Sequence, residues 1–164
     1  MKLRKAALTD GDAVLALYRE AQAFLAAQGI DQWQDGYPNQ ETFLADVGRG
    51  ESWVLEEGGQ VAATACLGLG REPTYDIIYE GAWGTEAPEY AFLHRIAVSG
   101  ACKGKGVPSL FFQELERQAR ERGLPCLRGG YPPGEQDHAA CHGEKRPVLP
   151  GRHLPGGRGR APGL

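Results

Sequence analysis

The sequence has no surplus of positive charge, no long apolar run and no closely spaced cysteine pair, and each lack excludes something. Over 164 residues the formal charge is −3. No global positive field exists to hold nucleic acid or an anionic membrane, so neither is expected as a partner and any anion site must be local. No stretch approaches the ~20 apolar residues of a membrane span. The segment Met1-Lys2-Leu3-Arg4-Lys5-Ala6 is basic, but no apolar run follows it, and a signal peptide is not expected. Cys66, Cys102, Cys126 and Cys141 are scattered without C-x-x-C spacing, which fits reduced thiols in a cytoplasm better than a disulfide framework or a zinc site. What is present, 41% apolar and 24% charged residues, suits one compact domain.

The composition breaks abruptly near position 129. Residues 129–164 hold 9 of the 24 glycines and 6 of the 11 prolines, and they contain no Phe, Ile, Met or Trp. Such a segment buries too little apolar surface to offset its ordering entropy. It contributes +2 to the total of −3, so residues 1–128 carry −5. The expected division is a folded domain over 1–128 and an irregular tail over 129–164. Asp137, His138, Cys141 and His142 lie in that tail at loose spacing, with no fold to orient them, and no metal site is expected.

Within the folded part, Leu3 to Ala6 reads as a strand, and Thr9 is a candidate cap for an amphipathic helix. Val14, Leu17, Tyr18, Ala21, Phe24 and Leu25 recur at three- and four-residue spacing along it, up to Gly29. Asn39 is placed to cap a shorter helix through Phe43, Leu44 and Val47. Ser52–Glu57 and Val61–Leu67 flank a Gly58-Gly59 turn and predict a hairpin. Thr74 to Tyr79 is expected to be extended. Tyr90 to Val98 is nearly continuously apolar, as a central strand buried on both faces would be, and His94 is expected on one face with Phe92, Ile96 and Val98. Val107, Leu110, Phe111, Leu115 and Ala119 then mark a helix that stops at Gly123, and Cys126 to Arg128 begins another strand. The expected order is β-α-α-β-β-(β)-β-α-β.

Between the central strand and that last helix runs Ser99-Gly100-Ala101-Cys102-Lys103-Gly104-Lys105-Gly106-Val107-Pro108-Ser109. A glycine-rich turn at a helix N-terminus suits an anion, because glycines let the backbone approach a phosphate and the first-turn N–H groups point outward. Lys103 and Lys105 add positive charge. The pattern is neither a P-loop, since Lys105 occupies the required glycine position, nor G-x-G-x-x-G, since Ser109 replaces the third glycine.

The stretch His94-Arg95-Ile96-Ala97-Val98, followed by Lys103-Gly104-Lys105-Gly106-Val107-Pro108, resembles the acetyl-CoA motif of the GNAT N-acetyltransferases. The resemblance covers residues 1–128. Trp33-Gln34-Asp35-Gly36-Tyr37-Pro38 and Ile78-Tyr79-Glu80-Gly81-Ala82-Trp83 are similar to one group of small bacterial members. Lys103 stands where Gln or Arg is usual, and Pro108 where Gly or Ala is usual, which deletes one N–H. The implied fold is the α/β GNAT acyl-CoA N-acyltransferase fold, a mixed, mostly antiparallel sheet flanked by helices, here lacking its C-terminal helix and strands.

The implied activity is transfer of an acetyl group from acetyl-CoA, as co-substrate, to a primary amine by direct attack, without an acyl-enzyme or a metal. The acceptor would be a small amine, a protein N-terminus or a lysine. A GNAT-like module that binds acyl-CoA or a partner without turnover is the alternative, and a homodimer is compatible with either. The resemblance assigns donor binding to Ile96, Ala97 and Val98, whose open strand edge would pair with the pantetheine arm, and to Lys103, Gly104, Lys105, Gly106, Val107 and Ser109 around the pyrophosphate. Glu80 and His94 are the candidate bases, and Trp33, Tyr37 and Trp83 the candidate walls of the acceptor site.

The tail has a further reading, as DNA written out of frame. One extra nucleotide near Arg128-Gly129 leaves two-fold codons that constrain the corrected residues: Tyr131-Pro132 gives Thr or Ile, Gln136-Asp137 Lys or Arg, and His138-Ala139 Met or Thr. A permitted reading of Val148 to Arg158 is Phe-Cys-Arg-Ala-Val-Ile-Tyr-Leu-Glu-Asp, which resembles the missing C-terminal motif of the same group.

Overall fold

A computed structural model describes residues 1–71, 89–102, 104–124 and 126–129. The elements are β1 (Lys2–Lys5), α1 (Gly11–Ala27), α2 (Gln40–Gly48), β2 (Ser52–Glu57), β3 (Gln60–Gly70), β4 (Tyr90–Val98), α3 (Val107–Glu121) and β5 (Leu127–Gly129). The five strands lie in sequence order β1-β2-β3-β4-β5. The first three pairings are antiparallel and β4–β5 is parallel. This is the mixed α/β arrangement the sequence implies. The extended segment expected at 74–79 lies outside the described residues, as do residues 130–164 with their His/Cys cluster.

Local chemistry explains most boundaries. Gly58 and Gly59 close the β2–β3 hairpin at φ of +58° and +80°, values that strain any residue with a Cβ. Asn39 caps α2 by accepting the Thr42 N–H at 3.1 Å. Thr9 does not cap α1. Leu8–Asp10 forms a 3-10 turn instead, and the Asp10 carboxylate accepts from the Ala7 N–H at 2.8 Å and from Arg4 at 2.7 and 2.9 Å. These bonds to Arg4, aided by Ala7, hold the Asp10 carboxyl below its ordinary pKa against the opposing effect of burial.

Two apolar clusters cover the two faces of the sheet. On one face, α3 sets Val107, Phe111, Leu115 and Ala119 against Leu55, Ala65, Leu67, Ala91 and Leu93. On the other, Val14, Leu17 and Tyr18 of α1 and Phe43 of α2 pack on Val54 and Ala97. Phe24, expected inward on α1, is 60% exposed, since Leu25 supplies the buried contact one residue later.

The faces of β4 do not follow simple alternation. Cys66 opposes His94, yet Thr64 opposes Ala97, so β4 carries one extra residue between them, a β-bulge. Arg95 sits there at φ +54°, in the left-handed region that non-glycine residues rarely adopt. The bulge reverses the side-chain phase. Phe92 and His94 face away from α3, whereas Ile96 and Val98 pack on the α3 cluster. The expectation that His94 shares a face with Ile96 and Val98 is thereby corrected; a period of two fails wherever a residue is inserted.

Candidate functional site

The bulge coincides with the point where β4 changes partners. β5 pairs with Ala91, Phe92 and Leu93, and among the described residues none pairs with Ile96, Ala97 or Val98 on that side. The Ser99 N–H bonds to the Ala62 carbonyl at 2.9 Å, so by alternation the Ala97 N–H faces β3 and those of Ile96 and Val98 face the gap. Among the described residues the result is an open strand edge with outward donors.

The chain leaves β4 through the 3-10 turn Gly100–Cys102 and enters α3 through glycines at φ of +77° (Gly104) and +69° (Gly106). Gly106 is the N-cap of α3, and no side chain caps the helix. Among the described residues a Cβ on either glycine would meet nothing within 4 Å; backbone conformation selects glycine here. The Lys105 N–H is taken by the Cys102 carbonyl at 3.1 Å and that of Leu110 by Gly106 at 3.1 Å, and Pro108 has none. The N–H groups of Gly104, Gly106, Val107 and Ser109 have no acceptor among the described residues. They lie at the positive end of a 15-residue helix dipole, which suits a pyrophosphate. The residues present therefore fit the acetyl-CoA that the sequence implies. Lys103 lies outside the described residues.

On the opposite face of the sheet, His94 is half-buried, across from Cys66, and its ring meets that of Phe92 edge to face at 5.3 Å. Phe92 lies over Gly68, where a Cβ would come within 2.1 Å of the phenyl ring. The 31–38 loop approaches this face. Its Gln34 side chain donates to the Gln22 carbonyl at 3.0 Å, and the Gln22 side chain donates to the carbonyls of Tyr37 and Pro38 at 3.0 and 3.2 Å. Trp33 stands edge-on to the buried Tyr18 at 6.3 Å, while Tyr37 is 37% exposed and accepts from Arg95 through its hydroxyl at 2.7 Å. The structure thus brings Tyr37 to Arg95 of β4, next in sequence to His94, and ties Trp33 to the core. Glu80 and Trp83 lie outside the described residues.

Sequence reasoning missed the charged cluster beneath the bulge. Arg95 donates through Nε and Nη2 to both oxygens of Asp46, each at 2.7 Å, and Asp46 is 1% exposed. Arg49 bonds Asp46 and also Glu51, and the Cys66 thiol lies 3.8 Å from Glu51. Asp46, Glu51 and Cys66 are close enough to share a cation, but both carboxylates are engaged by arginines. Burial pushes the Cys66 thiol up to about 12, so it stays protonated and is a poor ligand. The left-handed position of Arg95 brings its guanidinium to Asp46, and nothing in its residue type announces it.

The family model described as the acetyltransferase (GNAT) family matches residues 13–129. A GNAT-family acetyltransferase from Streptococcus agalactiae is 36% identical in sequence, with a TM-score of 0.66 over 78% of this chain and 73% of that one. A Listeria monocytogenes GNAT-family acetyltransferase, 21% identical, aligns with a TM-score of 0.64 over 82% of this chain and 78% of its own. A predicted acetyltransferase from Clostridium acetobutylicum, solved with acetyl-CoA, is 16% identical with a TM-score of 0.54, over 84% and 90%. The last two likenesses speak for the fold alone. No curated protein matches.

Proposed function

Since the chain belongs to the GNAT acetyltransferase family, we propose that it is an N-acetyltransferase that carries an acetyl group from acetyl-CoA to a primary amine by direct attack. The observation that carries the reading is the pairing of two donor arrays: the outward N–H groups of Ile96 and Val98 on the open edge of β4, and those of Gly104, Gly106, Val107 and Ser109 at the α3 N-terminus.

In this reading the β4 edge holds the pantetheine arm as an added strand would, and the α3 amides hold the pyrophosphate with Lys103 and Lys105. The Val98 N–H lies where a negative charge developing on the thioester oxygen needs a donor. The amine enters on the face shared by His94 and Tyr37, with Trp33 and Trp83 as further walls. Glu80 or His94 takes its proton. The nitrogen lone pair forms the C–N bond as the C–S bond breaks, and the thiolate leaves as CoA. The chemistry is suited to a reducing cytoplasm. Residues 1–128 form the catalytic domain, and 129–164 a tail read out of frame; the match ending at Gly129 supports that boundary. The same boundary favours a second reading, a CoA-binding module without turnover.

Steady-state release of CoA thiol against a panel of amines tests the assignment. Amine-dependent release is expected, and CoA affinity without it leaves the binding module. Glu80→Gln should lower kcat/KM by ~10²-fold or more if Glu80 is the base, and a near-wild-type rate passes that role to His94 or to a water chain. Reversing the charge of Lys103 and Lys105 should weaken CoA binding by at least ~1 kcal/mol for each charge-assisted hydrogen bond removed.

A further inference from the structure

Which N–H groups the open edge of β4 presents depends on one residue in an unusual conformation. Arg95 carries a full side chain at φ +54°, a region that L-residues other than Gly, Asn and Asp rarely enter. A left-handed non-glycine residue persists only when its surroundings hold it there. The surroundings here are specific: both Asp46 oxygens at 2.7 Å and the Tyr37 hydroxyl at 2.7 Å take up all three guanidinium nitrogens. Asp46 is itself fixed, at 1% exposure on α2, with Arg49 as a second partner. Bidentate geometry of this kind sets direction as well as energy.

We propose that the Arg95–Asp46 pair is a latch that holds the β4 bulge, and that Arg95 is therefore a positioning residue for the acetyl donor. This rests on the donor-site reading given above. Without the bulge, alternation from His94 would turn the N–H groups of Ile96 and Val98 toward β3, where the ladder would consume them, and Val98 would face the α1 side of the sheet. With the bulge they face the gap. The guanidinium touches no reacting atom; it acts by fixing the phase of three peptide groups downstream. Tyr37 extends the latch to the 31–38 loop, so the wall of the acceptor face and the donor edge are anchored on the same side chain.

Glycine separates this role from a purely structural one. It adopts the left-handed region without support, so Arg95→Gly keeps the bulge while losing the ion pair, whereas Arg95→Ala loses the pair and keeps the backbone penalty. With the full chain and coenzyme A in a calorimetric titration, Arg95→Ala should bind about tenfold more weakly than wild type, and Arg95→Gly at least about threefold more tightly than Arg95→Ala. Thermal melts monitor the cost of the missing pair, which both variants share. Amide hydrogen exchange reads the bulge in free protein: Ile96 and Val98 should exchange rapidly in wild type and Arg95→Gly, and slowly in Arg95→Ala. Equal affinity and equal exchange in all three proteins would overturn the latch, as would a glycine variant as impaired as the alanine one. Wild type that binds no CoA overturns the donor-site reading instead, and the exchange pattern then still decides whether the latch exists.

Discussion

The two halves of β4 have nearly the same apolar character and opposite fates. From Ala91 to Leu93 the strand is paired on both sides, with β3 and with β5, and Tyr90, Ala91 and Leu93 are buried. From Ile96 to Val98 it is paired on one side only, among the described residues, and Ile96 and Val98 are half-buried. Hydrophobicity does not distinguish them. The accounting of backbone donors does: the first half spends its N–H groups on the sheet, and the second, displaced by one residue at Arg95, turns those of Ile96 and Val98 away from β3.

The sharpest way to break this comparison is proline, which deletes one N–H at a time. Ala97→Pro removes a donor that faces β3 and should cost ~3 kcal/mol or more of stability in a denaturant titration. Val98→Pro, one residue on, removes a donor that faces the gap. It should leave the melting temperature much closer to wild type while weakening CoA binding about three- to tenfold. Equal destabilisation by both prolines would mean that the two faces of the backbone are equivalent. Pro108→Gly works in the other direction by adding a donor at the α3 N-terminus, and its CoA affinity should equal or exceed that of wild type. Weaker binding would show that proline preorganises the turn.

The far edge of the sheet supplies the smallest effect. Asp10, bonded to Arg4 beside β1, has its pKa lowered in the folded chain. A lowered carboxylate stabilises fully above its unfolded value, near 3.8, and that share is lost as the pH falls through the lower folded value. Asp10→Asn should therefore flatten the acid limb of a stability-against-pH curve and leave CoA affinity at neutral pH unaltered.

What was legible in the sequence was local. The Gly58-Gly59 turn, the Asn39 cap and the apolar period of α3 are each complete within a few residues, and each appears where the sequence puts it. The GNAT resemblance drew on the same kind of signal, the short run from His94 to Pro108. Thr9 failed as a cap because it lies inside the 3-10 turn Leu8–Asp10, which places Asp10 rather than Thr9 at the start of α1. The bulge was illegible for a stronger reason. Its cause is a bond between Arg95 and Asp46, 49 positions apart, and no periodicity in the strand announces a residue held by a helix elsewhere.

The strand order also sets a schedule. β1 to β4 are each neighbours in sequence and in space, and β2–β3 closes through a two-glycine turn, an event of ~1–10 μs in isolated hairpins. β5 alone is parallel to its neighbour and reaches it only after the chain has passed through α3. Its three residues must wait for the crossover helix to form and dock. Changes in the hairpin should then slow folding, while changes at Leu127 should chiefly hasten unfolding. The open edge of β4 thus acquires its boundary only once α3 beside it has formed.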